Sequence, residues 1–259
     1  MIFMKKQFYK YWGKWLDILL QLFSQTIFPR RCPVCDSVLS FRGSLICQDC
    51  FHKLSFTKSP TCFKCGKEVI SQRIEYCRDC TRRKRTFEKG MALLNYNEAA
   101  KKSMAGIKYH NKKEYLDFYA MAIAAKFEKQ MIRMKSDVFV PVPVHPSRKR
   151  ERGFNQAEVL AEKISRELEQ RTGVKIPVNR QILKRNKRTQ PQKDLNPEDR
   201  LKNLQKAFCD KKLPEEVKTI ILVDDIYTTG STGEACTRAL KRAGAKEVYI
   251  ICICIGYGK

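Results

Sequence analysis

Eight of the twelve cysteines in this 259-residue chain fall in four CxxC pairs between Cys32 and Cys80. No other feature restricts the fold as strongly. The stretches CPVCDSVLSFRGSLICQDC and CFKCGKEVISQRIEYCRDC repeat with a thirty-residue period, so that Leu39 corresponds to Val69, Ile46 to Tyr76 and Asp49 to Asp79. Each unit reads CxxC, eleven residues, CxxC, which is enough chain for a short hairpin that returns the second pair to the first. Four thiolates at this spacing suit tetrahedral zinc. The residue after each first pair, Asp36 or Gly66, is of a type that tolerates the left-handed turn of a zinc knuckle. Because the unit is self-contained, one structural zinc is assigned to Cys32, Cys35, Cys47 and Cys50 and a second to Cys62, Cys65, Cys77 and Cys80. An interleaved arrangement, pairing the first CxxC with the third, is the alternative.

With 52 Lys+Arg against 27 Asp+Glu, the formal net charge of +25 far exceeds what solubility requires, and it points to a polyanionic partner. A solvated basic surface of a lysine-rich protein is the plainer reading. Two thiolate-ligated zinc sites lower that charge by only about four units, so the excess survives them. The apolar run WLDILLQLF is interrupted by Asp17 and Gln21 and lacks a small-residue cleavage site, so it is not read as a secretory signal. It is also too short to span a bilayer. A reducing cytosol is expected, and Cys209, Cys236, Cys252 and Cys254 are read as small buried apolar residues. Residues 1–30 form an expected amphipathic helix, with Trp12, Trp15, Leu16, Leu19, Leu20, Leu22 and Phe23 on a broad apolar face and Pro29 at its end. Docking on the rest of the protein covers that face, and a membrane surface or partner is the alternative.

After residues 31–85, the ribbons and a basic joint RRKR at Arg82 to Arg85, the pattern becomes that of an α/β domain over 86–259. A strand is expected at Met91 to Tyr96, helical stretches from Glu98 to Lys135, and an extended run DVFVPVPVH at Asp137 to His145. Ala157, Leu160, Ala161, Ile164 and Leu168 recur at helical spacing. A strand near Pro177 to Leu183, a long polar stretch, a strand Val217 to Val223, a helix Thr232 to Ala243 and a strand EVYIICICI follow. Alternating elements with inner strands apolar on both faces imply a mainly parallel sheet with helices on both sides.

The stretch IILVDDIYTTGSTGEA carries the chemistry. It sets Asp224 and Asp225 at the carboxyl end of a buried strand, where ligands of such sheets bind. TTGSTG then offers hydroxyls and free backbone N–H groups at a helix start, a cradle for phosphate. Acid pair and cradle together suit one sugar phosphate, the carboxylates accepting hydrogen bonds from vicinal hydroxyls. A Walker B strand also ends in acids, but the chain contains no GxxxxGK[ST], which argues against an ATPase. A structural turn with an Asp cap leaves the second Asp and the hydroxyl-rich loop unexplained.

ILVDDIYTTGST resembles the phosphoribosyl-pyrophosphate (PRPP) motif of type I phosphoribosyltransferases, and PVPVHPSRKRERGFNQAEVLA resembles the corresponding stretch of the ComF/GntX family, the competence-associated branch. The resemblance covers nearly the whole chain, because that family also carries a short N-terminal helix and doubled zinc ribbons. It implies that Asp224 and Asp225 bind the ribose hydroxyls and that Thr228, Thr229, Gly230, Ser231 and Thr232 hold the 5′-phosphate. It implies that Val144, His145, Pro146 and Ser147 face pyrophosphate, with Arg148 and Arg152 close by, and that magnesium is held chiefly by the ligand's own oxygens. A hood loop at 184–207 carries Arg185, Thr189, Gln192, Arg200 and Asn203 at its pattern positions. From the residues themselves, the hood's length and charge read as functional. Arg185, Arg188 and Lys193 can neutralise a departing pyrophosphate, which makes Arg185 and Arg188 the candidate catalytic groups.

No motif names a second substrate. Three readings therefore stand: a PRPP- and magnesium-binding factor that contacts single-stranded DNA during uptake in natural transformation, an active phosphoribosyltransferase acting on an unidentified nucleophile, and a zinc-ribbon nucleic-acid adaptor with a vestigial ligand site. The runs RRKR, RKRER and KRNKR suit phosphate contacts, and Phe41, Phe51, Phe63 and Tyr76 suit either base stacking or the small ribbon cores. The expected setting is cytoplasmic, extending to uptake machinery at the inner face of the membrane.

Overall fold

The computed structural model describes residues 29–39, 43–185, 208–210 and 212–256. The apolar face expected at the N-terminus lies outside the described residues, as do Phe41, Arg188, Thr189, Gln192, Arg200 and Asn203.

The core is a parallel sheet of four strands, β1 (Gly90–Asn95), β2 (Val138–Pro141), β5 (Thr219–Tyr227) and β6 (Glu247–Ile255), in the order β1-β6-β5-β2. The inner strands read TIILVDDIY and EVYIICICI, β-branched runs suited to burial on both faces. Alternation divides their side chains between two cores: Ile221, Val223, Ile251 and Ile253 enter one, and Ile220, Leu222, Val248 and Ile250 the other. Among the helices, α3 (Glu98–Tyr109), α4 (Tyr115–Arg133) and α6 (Gln156–Thr172) cover the first face, while α7 (Ser231–Arg242) covers the second. The short α5 (Pro146–Arg152) follows β2. α6 buries Ala157, Leu160, Ala161, Ile164 and Leu168, the face expected from spacing, between an Asn155 cap and a left-handed Gly173.

One expectation changes. The strand near Pro177 to Leu183 is reduced to a single bridge, Val178 beside Phe139 at the outer edge of β2. Asn179 accepts from the N–H groups of Gln181 (2.9 Å) and Ile182 (3.2 Å), and this side-chain turn competes with extended pairing. A two-stranded antiparallel unit, β3 (Leu183–Arg185) with β4 (Phe208–Asp210), forms beyond it and joins the two ends of the hood segment.

The second CxxC of each ribbon opens a short helix, α1 (Gln48–Lys53) and α2 (Arg78–Arg82). Between the ribbons the chain runs along the free edge of β1: Phe56 bridges Leu94, Thr57 N–H donates to Leu93 (3.0 Å) and Asn95 N–H donates to Ser55 (2.7 Å). The ribbons consequently end on opposite faces of the sheet. Cys32, Val34, Cys50 and Leu54 join the core of α3, α4 and α6, whereas Cys62, Cys65, Cys77 and Phe87 join that of α7.

The second ribbon meets the sheet backbone to backbone. Gly90 N–H donates to the Lys64 carbonyl at 2.6 Å, and a Cβ added at Gly66 would sit 2.5 Å from the Gly90 oxygen. Gly66 also has φ +77°, where only glycine is unstrained. Gly66→Ala is therefore expected to destabilise the protein by about 2–4 kcal/mol, measured by denaturant unfolding. Gly173→Ala, with positive φ but open space around it, is expected to cost only about 1 kcal/mol.

Candidate functional site

β5 does not stop before its two carboxylates; it carries them within the strand to Tyr227, so they leave the sheet on opposite sides. Asp225 enters the face of α3 and α6. Its Oδ2 receives Lys108 Nζ at 2.7 Å and Gln156 Nε2 at 3.0 Å, and Gln156 in turn accepts from Arg152 at 3.3 Å. Asp224 is partly exposed on the other side, in electrostatic reach of the buried thiols of Cys236 and Cys252.

The two groups titrate in opposite directions. Burial and the neighbouring Asp225 charge push the Asp224 carboxyl well above the usual range. Burial pushes Asp225 up as well, but the Lys108 ammonium and the Gln156 amide outweigh it and hold that carboxyl below the usual range. Burial depresses Lys108 and Asp225 more than compensates, leaving the lysine raised. The surroundings thus favour the charged form of Asp225 and the protonated form of Asp224.

The loop beyond β5 turns at Gly230, with φ 73°, which caps α7. A side chain there would overlap the Tyr227 ring and hydroxyl, so the turn needs glycine for both conformation and space. Thr228 is exposed and Thr232 half-buried, while Ser231 is buried with its hydroxyl 3.0 Å from that of Thr229. The hydroxyls of Thr228 and Thr232 thus remain accessible beside the helix start, and those of Thr229 and Ser231 bond to each other within the loop. Arg85 Nη2 donates to the Thr229 carbonyl at 2.6 Å from below.

From β2, Val142 N–H donates to the Val223 carbonyl at 2.8 Å and brings the following loop alongside β5. His145 caps α5: its Nδ1 accepts from the Ser147 N–H at 3.2 Å and lies 2.7 Å from the Ser147 hydroxyl, so that hydroxyl is the donor. Val144 and Pro146 line a cavity of about 420 Å³ together with Lys149, Arg150 and Arg185. The structure therefore brings Arg185 to the 144–147 loop. Asp224, Asp225 and Thr228 to Thr232 do not line that cavity.

Sequence reasoning missed Lys108, Gln156 and Arg85. Lys108 had a signal: Ala100, Met104 and Ile107 mark the inward face of α3, and a lysine one position on shares that face, only 19% exposed. Gln156 lies inside the quoted GFNQAEVLA stretch, but nothing there announces its partner. Arg85 belongs to the basic joint, read as a run suited to phosphate contacts, and is instead buried at 8% exposure.

The cysteines assemble as two sequential clusters, Cys32/Cys35/Cys47/Cys50 and Cys62/Cys65/Cys77/Cys80, in each of which the four sulfurs lie within 4.8 Å of one another. The interleaved alternative does not occur. Neighbouring sulfurs stand at 3.6 to 3.8 Å, close to the separation of about 3.8 Å that tetrahedral Zn–S bonds of about 2.3 Å require. Asp36 (φ 63°) and Gly66 (φ 77°) supply the left-handed knuckle turns. Of the ribbon aromatics, Phe51 packs against Phe56 and Phe118, and Phe63 pairs edge-on with Tyr76 at 6.4 Å while both remain about half exposed. Among the described residues no helix is long and apolar enough to cross a membrane.

Comparison with known proteins agrees with this architecture. The family described as double zinc ribbon domain matches residues 23–81, and the phosphoribosyl transferase domain family matches residues 152–258. Competence protein F of Haemophilus influenzae is 28% identical over 229 residues, spanning 86% of this chain and 96% of that protein. Competence protein ComFC of Streptococcus pneumoniae is 30% identical over 208 residues, 79% of this chain and 85% of that protein. Its Bacillus subtilis namesake is 28% identical over 205 residues, 77% and 79% of the two chains.

The opposed titrations give a stability test. Asp225→Asn leaves Lys108 buried without its counter-charge and is expected to cost about 2–4 kcal/mol at neutral pH. Asp224→Asn removes a carboxylate whose ionisation opposes folding and is expected to raise the melting temperature. A raised folded pKa contributes stability at low pH that is lost as pH rises through it, and a depressed one the reverse. Both differences should therefore shrink in acid, that of Asp224→Asn first, as followed by thermal melts across pH.

Proposed function

Since the chain belongs to the ComF family of competence proteins, we propose that it binds PRPP with magnesium at the carboxyl ends of β5 and β2 and serves DNA uptake in natural transformation, contacting single-stranded DNA. The observation that carries this reading is the conjunction at one strand end of a partly exposed Asp224, its carboxyl raised above the usual range, with a glycine-turned, hydroxyl-lined helix start. Ionised Asp224 accepts from the ribose hydroxyls, Asp225 holds the frame through Lys108 and Gln156, and Thr228, Thr232 and the loop amides take the 5′-phosphate. In this reading the Val144 to Ser147 loop faces pyrophosphate, and magnesium is bound mainly by ligand oxygens, in keeping with its preference for phosphates over all-protein cages.

Calorimetric titration of the zinc-loaded protein with PRPP and magnesium tests the site. Saturable binding is expected, weakened about tenfold or more in Asp224→Asn, a variant that stays folded. In the wild type, affinity is expected to rise with pH as Asp224, raised above the usual carboxylate range, ionises. No binding by the intact protein would remove the ligand reading and leave a nucleic-acid adaptor.

For DNA, the exposed cations of α5 beside the cleft supply contacts without sequence preference. Affinity for a single strand should fall with salt by about 0.7 log units per decade for each phosphate engaged, and Lys149→Gln with Arg150→Gln should flatten that slope. A salt-independent affinity would argue against the basic surface as the binding site.

The transferase reading is favoured by one observation of its own, the shared cavity of Arg185 with Val144 and Pro146. In this reading the Arg185 guanidinium, beside the loop proposed to face pyrophosphate, would neutralise the departing group. Release of pyrophosphate that requires an added nucleophile and is lost in Arg185→Gln is the outcome that would support it.

A further inference from the structure

The segment between the second ribbon and β1 is built into the underside of the loop that follows β5. Arg85, 8% exposed, donates from Nη2 to the Thr229 carbonyl at 2.6 Å. Its neighbour Thr86 donates from its backbone N–H (2.9 Å) and its hydroxyl (3.0 Å) to the two carboxylate oxygens of Glu234, in the first turn of α7. Glu234 is 1% exposed and also receives Arg238 at 2.7 Å. Phe87, fully buried, stands edge-on to Tyr227 at 6.2 Å, and the Tyr227 ring lies directly under Gly230. Glu88 closes the segment with an ion pair to Lys241 at 2.7 Å. Four consecutive residues, 85 to 88, thus each hold a different part of the β5–α7 junction.

The Arg85 contact has a directional consequence. In a planar trans peptide the carbonyl and the following N–H point opposite ways. Anchoring the Thr229 carbonyl on the guanidinium below therefore turns the Gly230 N–H away from the ribbon and outward. Among the described residues that N–H has no hydrogen-bond partner within the protein. Without the guanidinium, the Thr229–Gly230 peptide is free to rotate, because glycine accepts either orientation. A buried arginine held only to fill space would be costly, and among the described residues two of the polar atoms here, Arg85 Nε and the Tyr227 hydroxyl, have no hydrogen-bond partner.

We propose that Arg85 is a positioning residue for the anion-gripping loop, and that the second ribbon, through residues 85 to 88, sets the orientation of the loop amides while the first ribbon does not. The proposal rests on the sugar-phosphate reading above. Residue 85 falls in the stretch that neither family match covers, between residues 81 and 152. The first ribbon packs instead against α4, with Tyr115 donating to Asp36 and Phe51 set against Phe118.

The test compares full-length, zinc-loaded wild type, Arg85→Ala, Arg85→Lys and, as control, Lys84→Ala, an exposed neighbour. Two readouts are used: calorimetric affinity for ribose 5-phosphate, and hydrogen–deuterium exchange of residues 228–232 without ligand. Arg85→Ala is expected to weaken ribose 5-phosphate about tenfold or more and to speed exchange across the loop. Arg85→Lys, which can still reach the carbonyl with one donor, is expected to recover much of both, and Lys84→Ala to match wild type. Rescue by lysine separates positioning from mere packing, since the lysine side chain fills the site differently while restoring the hydrogen bond. If Arg85→Ala fails to fold, Arg85→Lys and Thr86→Val carry the same comparison. Unchanged loop exchange in the folded Arg85 variants overturns the proposal even if wild type binds no ribose 5-phosphate, an outcome that would by itself count only against the ligand reading.

Discussion

Side chains on a β-strand leave it alternately on two faces, and at the end of β5 this rule separates two carboxylates that the sequence sets side by side. Asp225 goes to the helical face, where Lys108 and Gln156 hold it 2.7 and 3.0 Å away. Asp224 goes to the other face, where among the described residues it forms no ion pair and has Asp225 as a repelling neighbour. Two identical residues acquire different chemistry from geometry alone: one is held as a charge that ties α3 and α6 to the strand end, and the other is a partly exposed carboxyl whose surroundings favour its protonated form. The pattern is the general one in which paired acids are driven apart by their surroundings.

A second constraint operates at the opposite edge of the sheet. β1 would be a bare edge, and the chain between the ribbons pairs with it through Ser55, Phe56 and Thr57. A segment lying along an edge must deliver its two ends to the two faces. The ribbons, too small to own a core, are completed by the two cores of the α/β unit, and each becomes part of a different one. The duplication visible in sequence is therefore not a duplication of role. The first ribbon supports α4, and the second reaches the β5–α7 junction through Arg85, Thr86 and Phe87.

Much of this was legible beforehand, for identifiable reasons. CxxC spacing fixes which sulfurs can meet, so both four-cysteine clusters were readable from the repeat. The long β-branched runs of β5 and β6 and the helical spacing of α6 carry period signals strong enough to survive tertiary context. The expected strand near Pro177 dissolved because Asn179 offered its backbone neighbours a local hydrogen-bond acceptor, a competition that residue periodicity does not register. The basic joint read as a run suited to phosphate contacts; Arg82, Arg83 and Lys84 are exposed or half-exposed, and nothing local distinguishes the fourth residue, Arg85, which is buried.

By itself the sequence determined the order of the main strands and helices, the parallel α/β class, the grouping of the cysteines into two zinc-ribbon clusters and the location of the acid pair and its hydroxyl-rich loop. Those follow from short-range spacing, in which the interacting groups are near neighbours in the chain. Only the tertiary structure decided which carboxylate is neutralised and which ribbon touches the loop. Each of these rests on a partner far away in sequence, Lys108 for Asp225, or Arg85 for Thr229 at a separation of 144 residues. No local pattern records such a pairing, because it exists only once the sheet has brought the two segments together.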